Sequence, residues 1–574
     1  MDLRCLNEQK LVAHGVSSKL KHYAPHTFLG YALESRSSAL PDNRQPERAR
    51  INDPDRPKLL SLLDSMKQFM RSFPSVILVL LGCLLVAGCA GISQSNNSLR
   101  SQATAAPLSE VKIDWTKTLL VSRSTPTLQV VVNPPLRRGA AIHDPVFSAL
   151  HDLGANTVRY VPWFPYPRLA VAELKPPTQT NTYWDFSLID PMTVDFLEAT
   201  KGHPVILNFS TMPAWLFKTD KPVTYPDDPN APIWDYTRGT EMRDPSLKDL
   251  GDYYARLVSW YTDGGFTDEL GARHDSGYHY DIAWWEVLNE TESEHQTTPE
   301  QYTERYDAIV SAIHQVSPAT KFVGLAMAYA NRFNYYEYFL DPKHHKPGIP
   351  LDMISYHFYA DPGQGASAAH PDVWHFCEQA DGFLNTVRRI EGIRLRLSPG
   401  TQTTIDELGV IAPDESWTNL PVYWNAAGAM YSYLYLQLSK LGIEDIGESQ
   451  LVGYPTQYPS VSMVNWTTGQ PNARFRALEL LVHNFGPGDK LAATSTSGPD
   501  IAAQAYDTKA GRKLLLINKE NSTITVGLPP EAAGGQLAVV DVASGESPAR
   551  SSVIPGTQVT LTPFAVAVVS LAGQ

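Results

Sequence analysis

The sequence predicts an α/β chain, a (β/α)8 TIM barrel with a C-terminal antiparallel β-sandwich domain. Three observations predict it. Strand-like apolar runs alternate with helix-like segments up to about residue 485. One of these runs, DIAWWEVLNE at 281–290, is apolar on both faces and stops on Asn289 and Glu290, as a buried parallel strand does when it reaches a polar barrel mouth. From residue 488 onward, short β-branched runs separated by Gly, Pro and Ser replace the alternation.

Eight barrel strands are expected, at 138–144, 155–163, 203–210, 281–290, 321–328, 352–360, 402–410 and 444–452. Between them, PSLKDLGDYYARLVSWY, PEQYTERYDAIVSAIHQV and VYWNAAGAMYSYLYLQLSKLG place apolar residues at three- and four-residue spacing, the mark of amphipathic helices. A doubly wound open sheet gives much the same alternation. The barrel is assigned to 136–487 and the sandwich to 488–574, with strands at KLLLINK, TITVGL, QLAVVDV, QVTLT and FAVAVVSL. Two further strand-like runs within 112–135, TKTLLVS and LQVVV, lie outside the eight and are expected to pair with the sandwich.

The N-terminal region has a different logic. Residues 66–91, MKQFMRSFPSVILVLLGCLLVAGCAG, combine a Met, two basic residues and an apolar stretch shorter than the ~20 residues of a spanning helix. Small residues precede Cys89, so the segment resembles a bacterial lipoprotein signal with Val86-Ala87-Gly88-Cys89 as lipobox. That resemblance implies cleavage of 66–88, lipidation of Cys89 and anchoring to a membrane at the bacterial cell envelope, on a periplasmic or extracellular face. An uncut signal anchor is the alternative. Residues 1–65 then read as a mis-chosen start or a disordered extension, and the Ser/Asn-rich stretch within 89–111 as a flexible tether. Of the four Cys, only Cys377 would remain free for pairing, which excludes an internal disulfide or a Cys-based zinc site. A net charge of −13 without a dense Lys/Arg cluster excludes a nucleic-acid partner.

The chemistry is expected at the mouth of the barrel. Glu290 ends the fourth predicted strand and Glu407 the seventh, QTTIDELGV, so both carboxylates open on one face. Such a pair suits glycoside hydrolysis, in which one acid protonates the leaving oxygen and the other attacks or activates water. Neighbours on a strand point to opposite faces, so Asp406 is expected to turn outward. Arg159, His357 and Tyr359, near the ends of the second and sixth strands, are expected to orient Glu407 and favour its charged form. His143, after the first expected strand, is a weaker candidate for the same rim, and Glu448 another. Trp163, Trp215, Trp285 and Trp466 are the candidate sugar-stacking faces among 12 Trp. There is no HExxH, EF-hand or Walker sequence, and a carboxylate pair requires neither metal nor cofactor.

Three stretches, WEVLNE, ISYHFY and NFSTMPAWLF, resemble glycoside hydrolase family 39 of clan A, over roughly residues 112–574. The resemblance implies a retaining enzyme of β-xylosidase or α-L-iduronidase type, with Glu290 as acid/base, Glu407 as nucleophile and Asn289 bonding the sugar 2-hydroxyl. His357 and Tyr359 fit the family's sixth-strand pattern. The implied substrate is a plant- or microbe-derived polysaccharide or oligosaccharide. Thr291 stands where the clan usually has Pro, and the segment around Glu407 is less distinctive than that around Glu290. Another clan A family, endoglucanase-like or glucuronidase-like, and a non-catalytic carbohydrate-binding surface lipoprotein are the alternatives.

Overall fold

The computed structural model describes residues 108–572, apart from 235–238, 364–366, 368–369 and 371–373. The expected extension, signal, Cys89 and nearly all of the tether lie outside the described residues. Among the described residues, no helix is long and apolar enough to cross a membrane.

Eight strands close into a barrel: β1 (Thr125–Val131), β2 (Val158–Val161), β3 (Val205–Leu207), β4 (Trp284–Glu286), β5 (Lys321–Met327), β6 (Met353–Ala360), β7 (Gln402–Val410) and β8 (Asp445–Glu448). Every neighbouring pair is parallel, and β8 returns to β1. The predicted helices form at Lys248–Thr262, Pro299–Val316 and Pro421–Leu441. The second of these starts where its sequence allows: the Thr298 side chain accepts from the Gln301 N–H, and Gln301 reaches back to the Thr298 N–H. Their apolar stripes pack on the barrel. Trp285 shows why β4 is apolar on both faces, since its indole is fully buried outside the barrel and stacks on Phe209 at 5.7 Å and 2°. It is core, and not the sugar platform its sequence position allowed.

The first barrel strand differs from expectation. Residues 138–144 form a turn through Gly139 (φ 86°) and the start of the helix His143–Leu153, while the LQVVV run supplies β1. The physical reason is burial on both faces. From Pro126 to Val131 every residue of β1 is buried, as a barrel strand between core and helices requires. The preceding strand, Leu108–Val121, alternates inward and exposed side chains from Ser109 to Thr116, is exposed through Leu119, and pairs only with strands of the β-domain.

That domain is a nine-stranded sheet, antiparallel except where Leu108–Val121 runs parallel to Ile524–Gly527. Three of its strands, Lys490–Thr496, Ile501–Thr508 and Arg550–Val553, add to the five expected from sequence. The sheet folds over its own core, for Val111, Leu514, Leu516, Val526, Leu561 and Val569 share one cluster although they lie at both ends of the strand order. The alternate residues Leu515, Ile517, Val566 and Val568 belong instead to the barrel's core. Period-two alternation thus uses both faces of KLLLINK, one for the sandwich and one for docking on the barrel.

Candidate active site

After Glu286 the backbone leaves β-geometry. Leu288 (φ 65°) and Glu290 (φ 43°) both take the left-handed conformation that non-glycine residues rarely adopt, bracketing Asn289. Two such residues in three store strain at the strand end, the kind of distortion that functional sites hold. Its result is that Asn289 and Glu290 turn into the barrel mouth. The Glu290 N–H is satisfied by the Ala326 carbonyl at 2.9 Å, from the end of β5.

β7 departs from regularity too. Its register slips between Ile405 and Leu408 against β8 and between Thr404 and Glu407 against β6. This bulge defeats the alternation that was expected to turn Asp406 outward. Both carboxylates face inward: Asp406 lies 3.3 Å from Arg159 Nε and 3.5 Å from His357 Nε2, and Glu407 lies 2.5 Å from Arg159 Nη1. Gly447 makes the bulge possible, because a Cβ there would stand 3.0 Å from the Asp406 Cα and carbonyl oxygen.

Arg159, 1% exposed, is the hub beneath the mouth. Nε donates to Glu286 at 2.5 Å, Nη1 to Glu407 at 2.5 Å and Gln129 at 2.6 Å, and Nη2 to Asn289 at 2.7 Å. Burial opposes the guanidinium charge, but Glu286, Asp406 and Glu407 together outweigh it and hold the proton firmly. Glu286, wholly buried, also accepts from Asn208 at 2.6 Å and from Ser355. Burial raises its pKa against the pull of Arg159. The Asn289 amide oxygen is therefore fixed by Arg159, and its NH2 points to Glu294 at 3.2 Å.

Glu407 is held from two sides, by Arg159 on Oε1 and by the Tyr359 hydroxyl on Oε2 at 2.7 Å. Tyr359 is itself fixed by Ser449, which Gln129 also reaches. His357 bonds Glu290 Oε1 through Nδ1 at 2.7 Å and lies 3.5 Å from Glu407 Oε2, so it serves Glu290 more than Glu407. One ligand-type atom from each of Glu290, His357 and Glu407 falls within 4.8 Å of the others. Burial, reinforced by the Glu407 charge and opposed by His357, raises the pKa of Glu290. Burial disfavours the His357 cation, yet Glu407, Asp406 and Glu290 outweigh it and raise its pKa well above the ordinary imidazole value. The cluster is also the one set among the described residues spaced to hold a metal ion. Arg159 against Glu407, with His357 favoured as a cation beside it, disfavours the further positive charge of a metal ion and suits the cluster to holding protons.

Aromatic side chains rim this cluster. The Trp163 indole N–H donates to Glu294 at 2.6 Å, and the ring stands 5.5 Å from Trp234 and 6.1 Å from Tyr458. Trp234 and Tyr458 are 44% and 41% exposed, available as faces for a ligand. Burial of the hydroxyl first, and then the charges of Glu290, Glu294 and Glu407, push Tyr458 up to about 12.

Not every expected residue arrives here. His143 starts the helix after β1 and bonds Asp144 and Asp195, because the strand expected to end on it does not form. Glu448 is fully buried against Arg474 at 2.8 Å, and Trp215 is tied to the Glu173 carbonyl. Sequence reasoning missed Glu286, Gln129, Ser449, Glu294, Trp234 and Tyr458. Only Glu286 left a signal, as a carboxylate inside the apolar WWEVL run, where a charge requires a buried partner.

Fold and site define a (β/α)8 barrel with an appended β-domain and a carboxylate pair at the carboxyl ends of β4 and β7. Solved structures show the same architecture. The chain is similar to a GH51 arabinofuranosidase from Xanthomonas axonopodis pv. citri at 12% identity and TM-score 0.56, covering 81% of this chain and 99% of that one. A glucosidase from Croceicoccus marinus is 14% identical, TM-score 0.54, with 81% and 99% covered. A GH30 endoxylanase from Clostridium papyrosolvens C71 is 14% identical, TM-score 0.50, with 81% and 100% covered. Residues 499–569 match the family model of the D-apionate lactonase C-terminal immunoglobulin-like domain. No curated protein matches the sequence.

Proposed function

We propose that the chain is a retaining glycoside hydrolase that cleaves O-glycosidic bonds by double displacement. The observation that carries this reading is the closeness of Glu290 and Glu407, one carboxylate oxygen of each lying within 4.8 Å of the other's. A retaining mechanism works with carboxyls about 5–5.5 Å apart, whereas an inverting one leaves roughly 6.5–9.5 Å for a water. Glu407, held by Arg159 on Oε1 and by Tyr359 on Oε2, attacks the anomeric carbon. Glu290, whose pKa burial raises, gives its proton to the departing oxygen and then takes one from the water that releases the glycosyl-enzyme. Asn289, pinned by Arg159, presents its NH2 toward the sugar 2-hydroxyl. The names of the structural neighbours, arabinofuranosidase, glucosidase and endoxylanase, support a plant- or microbe-derived glycan. The family 39 resemblance narrows this to a β-xylosidase-like activity.

One observation favours a second reading. The match of residues 499–569 to a lactonase domain suits the opening of a sugar lactone in the same cleft, with the carboxylates activating water on the carbonyl. A panel of aryl pyranosides and furanosides run beside a panel of aldonolactones decides. The expected result is phenol release from at least one glycoside, with the first-formed sugar retaining its anomeric configuration by NMR. Consumption of lactones alone overturns the glycosidase reading, and inversion overturns the double displacement. Turnover of neither class leaves a carbohydrate-binding lipoprotein.

We also infer an envelope location from the Val86-Ala87-Gly88-Cys89 pattern. In a bacterium that processes lipoproteins, the wild-type chain is expected in the membrane fraction with a lipidated N-terminal Cys89, and Cys89→Ala without lipid. An unprocessed chain in membranes, beginning at Met1, refutes the cut site.

A further inference from the structure

A cavity of about 410 Å³ lies away from the catalytic cluster, at the seam between the barrel and the β-domain. Its walls come from the start of the helix Pro421–Leu441, the loop between β8 and the helix Ala473–Val482, and Gly545 and Glu546 of the β-domain. It shares no residue with the network around Glu290 and Glu407. Its size is within the ~300–1,000 Å³ of small-ligand clefts.

Two indoles line it, Trp424 and Trp466, both half-buried. Trp424 is held by its N–H on the Thr418 carbonyl at 3.1 Å, whereas the Trp466 ring meets no other aromatic ring among the described residues. The β-domain wall is fixed as well, since Arg476 Nε donates to the Glu546 carbonyl at 3.1 Å. Within these walls Asn425 is 3% exposed, lines the cavity and makes no side-chain hydrogen bond among the described residues. Its amide atoms open on the cavity and are not sealed in the core, so a ligand with both donors and acceptors can meet them there. Asn465, whose Oδ1 already accepts from the Thr467 and Thr468 N–H groups, adds an NH2 donor, and Glu546 a carboxylate.

We propose that this cavity is a second carbohydrate-binding site, which takes a neutral glycan by stacking on Trp466 and Trp424 and by hydroxyl bonds to Asn425, Asn465 and Glu546. Sugar rings present both things the lining offers to match, an apolar C–H face and a rim of hydroxyls that donate and accept. Nucleotides also stack on indoles, but their phosphates require cations, and no Lys or Arg lines the cavity. Glu546 disfavours acidic glycans by like charge. Placed beside a catalytic barrel, the site retains a long chain while another part of it enters the mouth, raising its effective concentration. The assignment does not depend on whether Glu290 and Glu407 cleave.

Native affinity electrophoresis of the full chain in gels containing arabinoxylan, linear arabinan or mixed-linkage β-glucan tests it, with p-nitrophenyl glycoside turnover measured alongside. At least one polysaccharide is expected to retard the wild type. Trp466→Ala should weaken that retention about tenfold, Trp466→Phe should keep part of it, and Asn425→Ala should weaken it, with small-substrate turnover unchanged in each. Equal retardation of wild type and Trp466→Ala, or none by any of the three glycans, overturns the site. Retention that depends on Trp466 in a chain without glycosidase turnover upholds it and overturns the catalytic reading alone.

Discussion

Glu407→Gln is expected to lower turnover on the order of 10⁶-fold, the size of loss that follows removal of a covalent nucleophile. The amide keeps the shape of the side chain but cannot attack the anomeric carbon. Glu407 is buried and paired with Arg159, so removing its charge is a change inside a network and not at an open rim. The fold is nevertheless expected to survive, because Arg159 retains Glu286 and Asp406. Circular dichroism should show native secondary structure, and a 2-deoxy-2-fluoro glycoside that labels the wild type should leave the variant unlabelled by mass spectrometry. Substantial turnover in Glu407→Gln removes this residue from the mechanism.

The second large effect depends on the leaving group. Glu290→Ala is expected to slow natural glycosides by about 10²- to 10⁴-fold, the usual range for general acid–base assistance, and dinitrophenyl glycosides far less at the first step. Azide should restore turnover on the activated substrate by attacking the glycosyl-enzyme without a general base, giving a glycosyl azide of retained configuration. The pH profile carries the same assignment. Burial raises the Glu290 pKa, so its proton is present at low pH and lost as pH rises through that raised value. The wild-type rate on a poor leaving group should therefore fall on the alkaline side, and that limb should vanish in Glu290→Ala. Equal losses on all leaving groups, with no azide rescue, rule out Glu290 as the acid/base.

Both variants test residues named from the ends of strands four and seven, and that legibility has a physical origin. A strand covered on both faces is apolar over most of its length, so the polar residues on which its apolar run stops mark the barrel mouth, whereas a carboxylate inside the run, such as Glu286, must find a buried partner. DIAWWEVLNE and QTTIDELGV showed that boundary without coordinates. The helices were legible for a similar reason, because one buried stripe per helix imposes a 3.6-residue period. The same argument, applied more strictly, separates β1 from the strand before it. Contiguous burial in TPTLQVV belongs to the barrel, and alternation from Ser109 to Thr116 belongs to the β-domain.

The class of fold, the helices and the strand positions of Glu290 and Glu407 were thus legible in the sequence, because these follow from local periodicity and from where it breaks. Which neighbours those carboxylates have follows from the closed barrel. Asp406 turns inward because of a bulge that accommodates Gly447, a contact between residues some forty positions apart. Glu290 points at His357 because Leu288 and Glu290 take left-handed backbone angles that no residue preference announces. Arg159 on β2 joins Gln129 of β1, Glu286 and Asn289 of β4 and its carboxyl end, and Glu407 of β7, and the electrostatics of the site is the sum of those distances. Charge and hydrogen bonding act through space, so a linear pattern names the ionisable groups, and only the closed barrel sets which of them share a proton.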